Sequence, residues 1–299
     1  MTIPDPEARP DWVDDEVFPF TSRFIEIDGN VVHYIDEGSG PVLLMLHGNP
    51  TWSFVYARLV CLLRTRFRCI ALDYPGFGLS TPSRRYRFQP DDHAAVVTAF
   101  VDRLDLCDVT LVAHDWGGPI GLSAVQSRPE AFLGLVLMNT WAWPLNGDLR
   151  AEIASRVAGG FVGRELIRRF NLFVEALIPA GHRRRTPTST EMRHYRQALA
   201  TRERRQACAV LPGAIIGSRA FLADVDERLP RIAELPALLL WADGDIALGD
   251  NERRRWAATL PHLTTVIVEK AGHFLQSDAP DEVAGALADW WDEVGAEQR

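Results

Sequence analysis

Short, continuous apolar runs recur along the chain and alternate with amphipathic helical stretches. Runs at 42–46, 69–72, 109–113 and 133–138 are each followed by Gly or Pro and then by helical periodicity. Such runs are typical of parallel strands that are buried on both faces of a sheet. Their alternation with helices predicts an α/β protein with a mostly parallel, doubly wound sheet.

Strand-like segments also stand at both ends of this pattern. Two alternating segments at 24–27 and 31–35 flank an Asp-Gly-Asn turn, which predicts a β-hairpin ahead of the parallel strands. Apolar runs return at 237–241 and 264–268, and an amphipathic stretch from about 281 to 291 predicts a closing helix.

The alternating rhythm breaks in the middle of the chain. Residues 144–230 show amphipathic helical periodicity and several arginine pairs, but few strand-like runs. We therefore predict a helical cap at 144–230 that is inserted into a core formed by residues 1–143 and 231–299. The arginines of the cap, including the Arg-Arg-Arg run at 183–185, are predicted to form a solvated face with local ion pairs.

The composition of the chain limits which binding partners and which cellular location we expect for the protein. The 299 residues are 47% hydrophobic and carry a net charge of -8, which excludes extensive disorder and argues against nucleic acid as a partner. The sequence has no basic, apolar leader and no apolar run of the roughly 18 residues that a bilayer span needs. We expect a cytoplasmic protein with neither a nucleic acid nor a membrane as partner, whereas its oligomeric state cannot be predicted.

Four cysteines occur singly, without the spacing of a zinc site. Cys61, Cys69, Cys107 and Cys208 lie within apolar or helical stretches. We predict buried, reduced thiols at all four positions rather than disulfides.

The segment after the run 109–113 resembles a nucleophile elbow, the sharp strand-to-helix turn that raises one side chain above a sheet. It reads His-Asp-Trp-Gly-Gly, so that Ala113 and Gly117 bracket Asp115. A carboxylate has a reference pKa of about 4 and is ionised at neutral pH, so Asp115 could attack carbon without a base. The alternative is an aspartate that only caps the following helix.

A candidate oxyanion hole accompanies this elbow. The run 42–46 leads into His-Gly-Asn-Pro, and in this kind of fold the loop after that strand supplies one backbone N–H while the residue after the nucleophile supplies the other. These donors would be the backbone N–H groups of Asn49 and Trp116. The alternative is a turn that merely ends the strand.

A base and an acid follow in the order that such a triad requires. His273 lies five residues beyond the last strand-like run, and Asp245 follows the penultimate run. The chain order Asp115, Asp245, His273 is therefore nucleophile, acid, base. Asp243 and Asp250 are close enough to remain alternative acids.

Four segments carry a resemblance to a known family: H-G-N-P-T-W-S-F, D-Y-P-G-F-G-L-S, H-D-W-G-G-P and G-H-F-L-Q. Together they make the chain, from about residue 19 to 291, resemble the haloalkane dehalogenases of the α/β-hydrolase superfamily. The resemblance implies an α/β-hydrolase fold with a helical cap and an aspartate nucleophile. It implies no metal and no organic cofactor.

The resemblance also implies a halide site. In the family a tryptophan beside the nucleophile, here Trp116, binds the leaving halide together with either an asparagine or a cap tryptophan. No tryptophan lies between Trp143 and Trp241, so the second halide-binding residue is expected to be Asn49. Residues 139–143 contain no carboxylate, which leaves the acid after the later strand, as in the third subfamily.

The implied reaction is hydrolysis of a small, apolar halogenated substrate to an alcohol and a halide ion, through an ester on Asp115 that water, activated by His273, then cleaves. The nearest alternative is an epoxide hydrolase, which shares the aspartate nucleophile but needs acidic groups such as cap tyrosines; only Tyr195 lies in the cap. Fluoroacetate-type dehalogenation would need arginines in the pocket, which the sequence cannot place there. A catalytically silent receptor would have a broken triad.

Overall fold

The computed structural model describes residues 9–297, and within them an eight-stranded sheet runs through the centre of the molecule. The strands are β1 (Arg23–Ile27), β2 (Asn30–Glu37), β3 (Val42–Leu46), β4 (Arg68–Leu72), β5 (Val109–Asp115), β6 (Phe132–Thr140), β7 (Ala237–Ala242) and β8 (Leu263–Val268). Their order in the sheet is β1-β2-β4-β3-β5-β6-β7-β8. The two pairings that involve β2 are antiparallel and all the others are parallel.

Helices cover the sheet and extend above it. They are α1 (Ala57–Leu63), α2 (Pro90–Arg103), α3 (Gly117–Ser127), α4 (Leu149–Gly159), α5 (Phe161–Phe170), α6 (Leu172–Ala180), α7 (Ser189–Ala198), α8 (Gln206–Gly217), α9 (Arg219–Arg228), α10 (Asp250–Thr259), α11 (Leu275–Asp278) and α12 (Pro280–Glu297). The predicted mostly parallel α/β fold is confirmed, as are the hairpin β1–β2 and the closing helix α12.

Burial of the central strands on both faces explains the continuous apolar runs in the sequence. Strands β3, β5, β6 and β7 are buried along almost their whole length, because helices cover both faces of the sheet. Since these strands are parallel, the segments that follow them all leave from one edge of the sheet, where ligands bind in open α/β folds.

Six helices, α4 to α9, lie between β6 and β7. Helix α4 packs closely on α8: the Ser155 hydroxyl donates to the Pro212 carbonyl at 2.8 Å, and a Cβ on Gly159 would lie 2.3 Å from the Cα of Gly213. The exact limits of the cap, 144 and 230, remain a prediction.

The cysteine prediction was partly wrong. Cys69 in β4 and Cys208 in α8 are buried, but Cys61 and Cys107 are exposed. Cys61 lies on the solvent-facing side of α1, and Cys107 lies in the loop between α2 and β5. All four are free thiols, as expected.

Within residues 9–297, no single helix has the length and apolar character needed to cross a bilayer. Residues 206–217 and 219–231 meet that criterion only as a pair, which is bent by 66°.

Candidate active site

Asp115 ends β5 in a strained turn. Its φ of 52° lies in the left-handed region, which is uncommon for a residue other than glycine. The turn fits only because glycines follow: a Cβ on Gly117 would lie 2.2 Å from the Leu46 carbonyl oxygen, and one on Gly118 would lie 1.8 Å from the Thr140 hydroxyl. The Thr140 hydroxyl also donates to the Asp115 carbonyl at 2.6 Å. This is the geometry of a nucleophile elbow, at the predicted residue.

The two oxygens of the Asp115 carboxylate have different surroundings. The backbone N–H of Asn49 donates to Oδ1 at 2.8 Å, and the backbone N–H of Trp116 also bonds to this carboxylate. A Cβ on Gly48 would lie 2.3 Å from Oδ1, so a glycine is required beside the candidate oxyanion hole. Oδ2 lies 3.8 Å from Nε2 of His273. The predicted hole and base therefore meet the nucleophile from different directions.

His273 is held by a buried acid. Nδ1 of its ring lies 2.8 Å from Oδ2 of Asp245, whose side chain is fully buried. The Asn139 amide donates to the same Oδ2 at 2.6 Å, and the backbone N–H of Ala247 donates to Oδ1 at 2.7 Å. Asp245 is thus fixed from three sides, and it aims one oxygen at the base.

The two alternative acids lie apart from the base. Asp243 is exposed and accepts a hydrogen bond from the backbone N–H of Lys270. Asp250 pairs with two arginines of its own helix. Of the three candidates, the structure brings only Asp245 to His273.

The three charged groups influence one another's protonation. Burial raises the pKa of Asp115, and His273 together with the two backbone N–H donors opposes that rise. Burial works against the charge of Asp245 too, but His273 and its other hydrogen-bond donors lower the pKa of this carboxyl. Burial alone would lower the pKa of His273; the two carboxylates outweigh it and raise that pKa to about 9.

A cavity of about 640 Å³ lies above these residues, within the range of small-molecule sites. Asn49, Asp115, Trp116 and His273 line its core side. Apart from Arg150, the cap side is apolar and includes Ile153, Ala154, Val157, Ala158, Phe173, Leu177, Pro212 and Ile215. The arrangement suits an apolar substrate whose reacting carbon meets a carboxylate.

The two expected halide-binding side chains both line this cavity. Trp116 is only 2% exposed, and its ring packs edge-on against Trp141, with centroids 4.9 Å apart. The Asn49 amide donates to the Cys208 carbonyl at 3.3 Å, which ties it to the cap. An indole N–H and an amide N–H₂ are donors that suit an anion.

Two residues that bear on the alternative reactions lie where the sequence could not place them. Tyr195 is buried against Phe54, with ring centroids 5.2 Å apart, and it is outside the lining of the cavity. Arg150 does line the cavity, although its side chain is exposed. The sequence could not place a cap arginine in the pocket, whereas the structure places Arg150 there because α4 borders the opening.

Sequence reasoning missed Asn139, which stands at the alternative acid position and hydrogen-bonds the acid instead. The sequence did carry a signal, because a polar amide stands near the end of the apolar strand β6, just before the cap. In the structure Asn139 has a positive φ of 34°.

Asp278 was also missed. Its buried carboxylate accepts hydrogen bonds from the backbone N–H groups of Gly272, Arg183, Arg184 and Arg185 at 2.8 to 3.1 Å. It thereby joins the segment after α6 to the loop that carries the base. The arginine run makes ion pairs, as expected, but it also docks the cap on the core rather than forming only a solvated face.

The fold and this elbow define an α/β hydrolase, and comparison with known proteins agrees. Residues 41–280 match the family model described as the alpha/beta hydrolase fold.

Individual relatives narrow the family. Haloalkane dehalogenase 2 of Mycobacterium tuberculosis is 41% identical over 276 residues, which are 92% of this chain and 96% of the relative. A cis-3-alkyl-4-alkyloxetan-2-one decarboxylase of Shewanella oneidensis is 31% identical, over 90% of this chain and 87% of that protein. The crystal structure of a haloalkane dehalogenase from Bradyrhizobium elkanii superposes with a TM-score of 0.84 at 28% identity, covering 93% of this chain and 99% of that one. The chain belongs to the haloalkane dehalogenase family of the α/β hydrolases.

Proposed function

We propose that this protein hydrolyses haloalkanes to an alcohol and a halide ion through a covalent alkyl ester on Asp115. The observation that carries the proposal is the position of that carboxylate. One oxygen accepts backbone N–H donors, and the other faces both His273 and an apolar cavity.

In the first step, Oδ2 of Asp115 attacks the halogen-bearing carbon and the carbon–halogen bond breaks. Oδ1 cannot attack as readily because its lone pairs accept the backbone N–H of Asn49. The halide leaves with the bonding electrons towards the indole N–H of Trp116 and the amide of Asn49, which stabilise it by hydrogen bonds.

In the second step, His273 takes a proton from a water molecule that attacks the carbonyl carbon of the ester. The backbone N–H groups of Asn49 and Trp116 stabilise the oxyanion that forms on Oδ1. The bond between the carbonyl carbon and the alkylated oxygen then breaks, the alcohol leaves with the proton that His273 had taken, and Asp115 loses the remaining proton to solvent and is a carboxylate again.

Alkylation of Asp115 removes one of the two negative charges that raise the pKa of His273 to about 9. Loss of that charge lowers the pKa of His273, so more of the imidazole is neutral at pH 7 and able to accept the proton of the water, while Asp245 keeps the ring in its orientation.

The position of Tyr195 weighs against an epoxide hydrolase. Epoxide opening leaves an alkoxide that must be protonated, and Tyr195, which packs against Phe54 outside the cavity, is badly placed to protonate it. Intact contacts between His273, Asp245 and Asp115 likewise weigh against a silent receptor.

A second candidate substrate is a dialkyl β-lactone, the class named for the Shewanella oneidensis relative. Displacement at the ring carbon of such a lactone expels a carboxylate where a haloalkane expels a halide. A cavity of about 640 Å³ with an apolar cap side has room for alkyl chains on that ring. The higher identity to a haloalkane dehalogenase favours the haloalkane.

Three finer assignments belong to the same proposal. The Asp245, Asn49 and Trp116 combination is that of the third subfamily, and residues 144–230 form the cap that selects substrates. A cytoplasmic location suits four free thiols, because thiols stay reduced there. Cell fractionation tests the location.

The test is a substrate panel with separate readouts. Ion chromatography should detect stoichiometric bromide or iodide from 1-bromohexane and 1-iodohexane, with matching alcohol by gas chromatography. A terminal epoxide, a haloacetate and a cis-dialkyl β-lactone complete the panel, the haloacetate because Arg150 lines the cavity. Turnover of one of these alone, without halide release from haloalkanes, would refute the proposal.

A further inference from the structure

Large apolar side chains on the surface are concentrated on one face of the cap. Eleven such side chains are exposed among the residues described, and eight of them lie between residues 149 and 172, on α4, α5 and the start of α6. Phe161 is 84% exposed and Phe170 is 65% exposed. Scattered exposed apolar side chains are ordinary, but a contiguous group marks an interaction surface. We call residues 149–172 the α4–α5 face.

This face is continuous with the entrance to the active-site cavity. A groove of about 510 Å³ between α4 and α5 is lined by Val157, Phe161 and Phe173. Val157 and Phe173 also line the active-site cavity, as do the exposed Ile153 and Ile246. An apolar molecule that is bound at the α4–α5 face would therefore stand at the opening above Asp115.

The charge of the face differs in sign from that of the whole chain. The α4–α5 face contains five arginines and two carboxylates, with a third carboxylate, Asp148, just before it, whereas the protein carries a net charge of -8. None of the ion pairs within residues 9–297 involves Arg150 or Arg164. Apolar side chains with arginines beside them are typical of helices that lie in the interface of an anionic bilayer.

We propose that the α4–α5 face docks on the surface of an anionic lipid bilayer, with the cavity opening towards the lipid. Apolar halogenated substrates concentrate in bilayers, and in this orientation they reach Asp115 without crossing water. The docking itself stands on the exposed face and its charge; only the delivery of substrate rests on the proposed function. Docking would correct the expectation that a membrane is not a partner, which considered only spanning segments.

A second copy of the chain suits the face less well. In a symmetric dimer the same patch meets itself, so the excess arginines of the two copies would face each other. Both subunits would also carry the net charge of -8. A bilayer that contains anionic lipid instead complements the arginines.

The test is co-sedimentation of the full chain with vesicles of phosphatidylcholine alone or of phosphatidylcholine with phosphatidylglycerol. The wild type should sediment with the anionic vesicles, and less so at high salt. The double variant Phe161→Ser, Phe170→Ser should lose about tenfold or more of its partition coefficient. Arg164→Gln with Arg169→Gln should lose about fivefold for each arginine. Leu62→Ser, which changes an exposed leucine on α1, is the matched control and should bind like wild type.

Two controls separate this proposal from the enzyme's activity and from folding. Thermal unfolding should be unchanged in the phenylalanine variant, because both side chains are exposed. Halide release from a short, water-soluble bromoalkane should also be unchanged, while release from a long-chain bromoalkane dissolved in vesicles should fall. Equal sedimentation of wild type and phenylalanine variant, or none by wild type, overturns the proposal. Self-association that depends on Phe161, without vesicle binding, overturns it in favour of a second copy.

Discussion

The core side and the cap side of the active-site cavity differ in how their side chains are held. On the core side, directional hydrogen bonds fix the reacting groups. Asp115 accepts a hydrogen bond from the backbone N–H of Asn49. Asp245 accepts one from the Asn139 amide and orients His273 through another. On the cap side, residues such as Val157 contact the cavity only through apolar side chains, and these side chains are partly exposed to solvent. From this difference we infer that the chemistry takes place at the sheet edge and that the cap selects the substrate.

Asp115→Asn should have the largest effect. The amide keeps the shape and the hydrogen-bonding neighbours but is not a nucleophile, so turnover should fall below detection while the thermal unfolding temperature stays close to that of wild type. Halide release and calorimetry check both. Full activity, in protein whose mass shows that the asparagine has not deamidated, would remove the assignment of the nucleophile.

Asp245→Asn should have the second-largest effect, a loss of about 10⁴-fold in turnover. The amide carries no negative charge to stabilise the imidazolium, and it no longer holds the imidazole in the correct tautomer. Asp243→Asn is the matched control: Asp243 is exposed, so that change should leave turnover within about twofold. If Asp243→Asn lowered turnover more than Asp245→Asn, the acid of the triad would be Asp243.

Trp116→Phe and Asn49→Ala should each slow cleavage of the carbon–halogen bond by about 10- to 150-fold, because each removes one hydrogen bond to a developing anion, worth about 1.5 to 3 kcal/mol. Rapid-quench measurement of the first step checks this. Saturable quenching of tryptophan fluorescence by iodide should weaken in the same variants. An unchanged first step in both would leave the halide site elsewhere.

Val157→Ala should have the smallest effect, and it is the test of the cap side. It removes two methyl groups from an exposed side chain that lines the cavity. The ratio of kcat/KM for 1-bromohexane to that for 1-bromopropane should shift by about tenfold or less. A methylene contact is worth about 1 to 3 kcal/mol, and the exposed Val157 should lie at the low end of that range. A loss as large as that of Asp245→Asn would break the comparison between the two sides.

Sequence reasoning located the core side because its residues stand in strand-ending motifs at fixed chain order. Asp115 ends the buried strand β5, and His273 follows β8, a largely exposed strand at the edge of the sheet. Both strands belong to the parallel part of the sheet, which brings their ends to the same side. Asp245 could be preferred to Asp243 only by its place in the motif, whereas the structure separates them by burial.

The cap side could not be located in this way. Helical periodicity shows that one side of α5 is apolar, but not whether that side meets the core or solvent; in the structure Phe161 and Phe170 face solvent. Likewise, the presence of a single tyrosine in the cap sequence does not show whether Tyr195 lines the cavity; in the structure it does not. Long-range contacts, such as those that Asp278 makes to the segment after α6, leave no local periodicity to read.

The central claim is that the reaction passes through an ester on Asp115 that His273 helps water to cleave. His273→Gln keeps a side chain of similar polarity but removes the base, so the first step should proceed and the second should stop. Mass spectrometry of this variant after incubation with 1-bromohexane should show a mass increase of one hexyl group, on the peptide that contains Asp115. An unmodified Asp115 after halide has been released, or a hexyl group on another residue, would contradict the account.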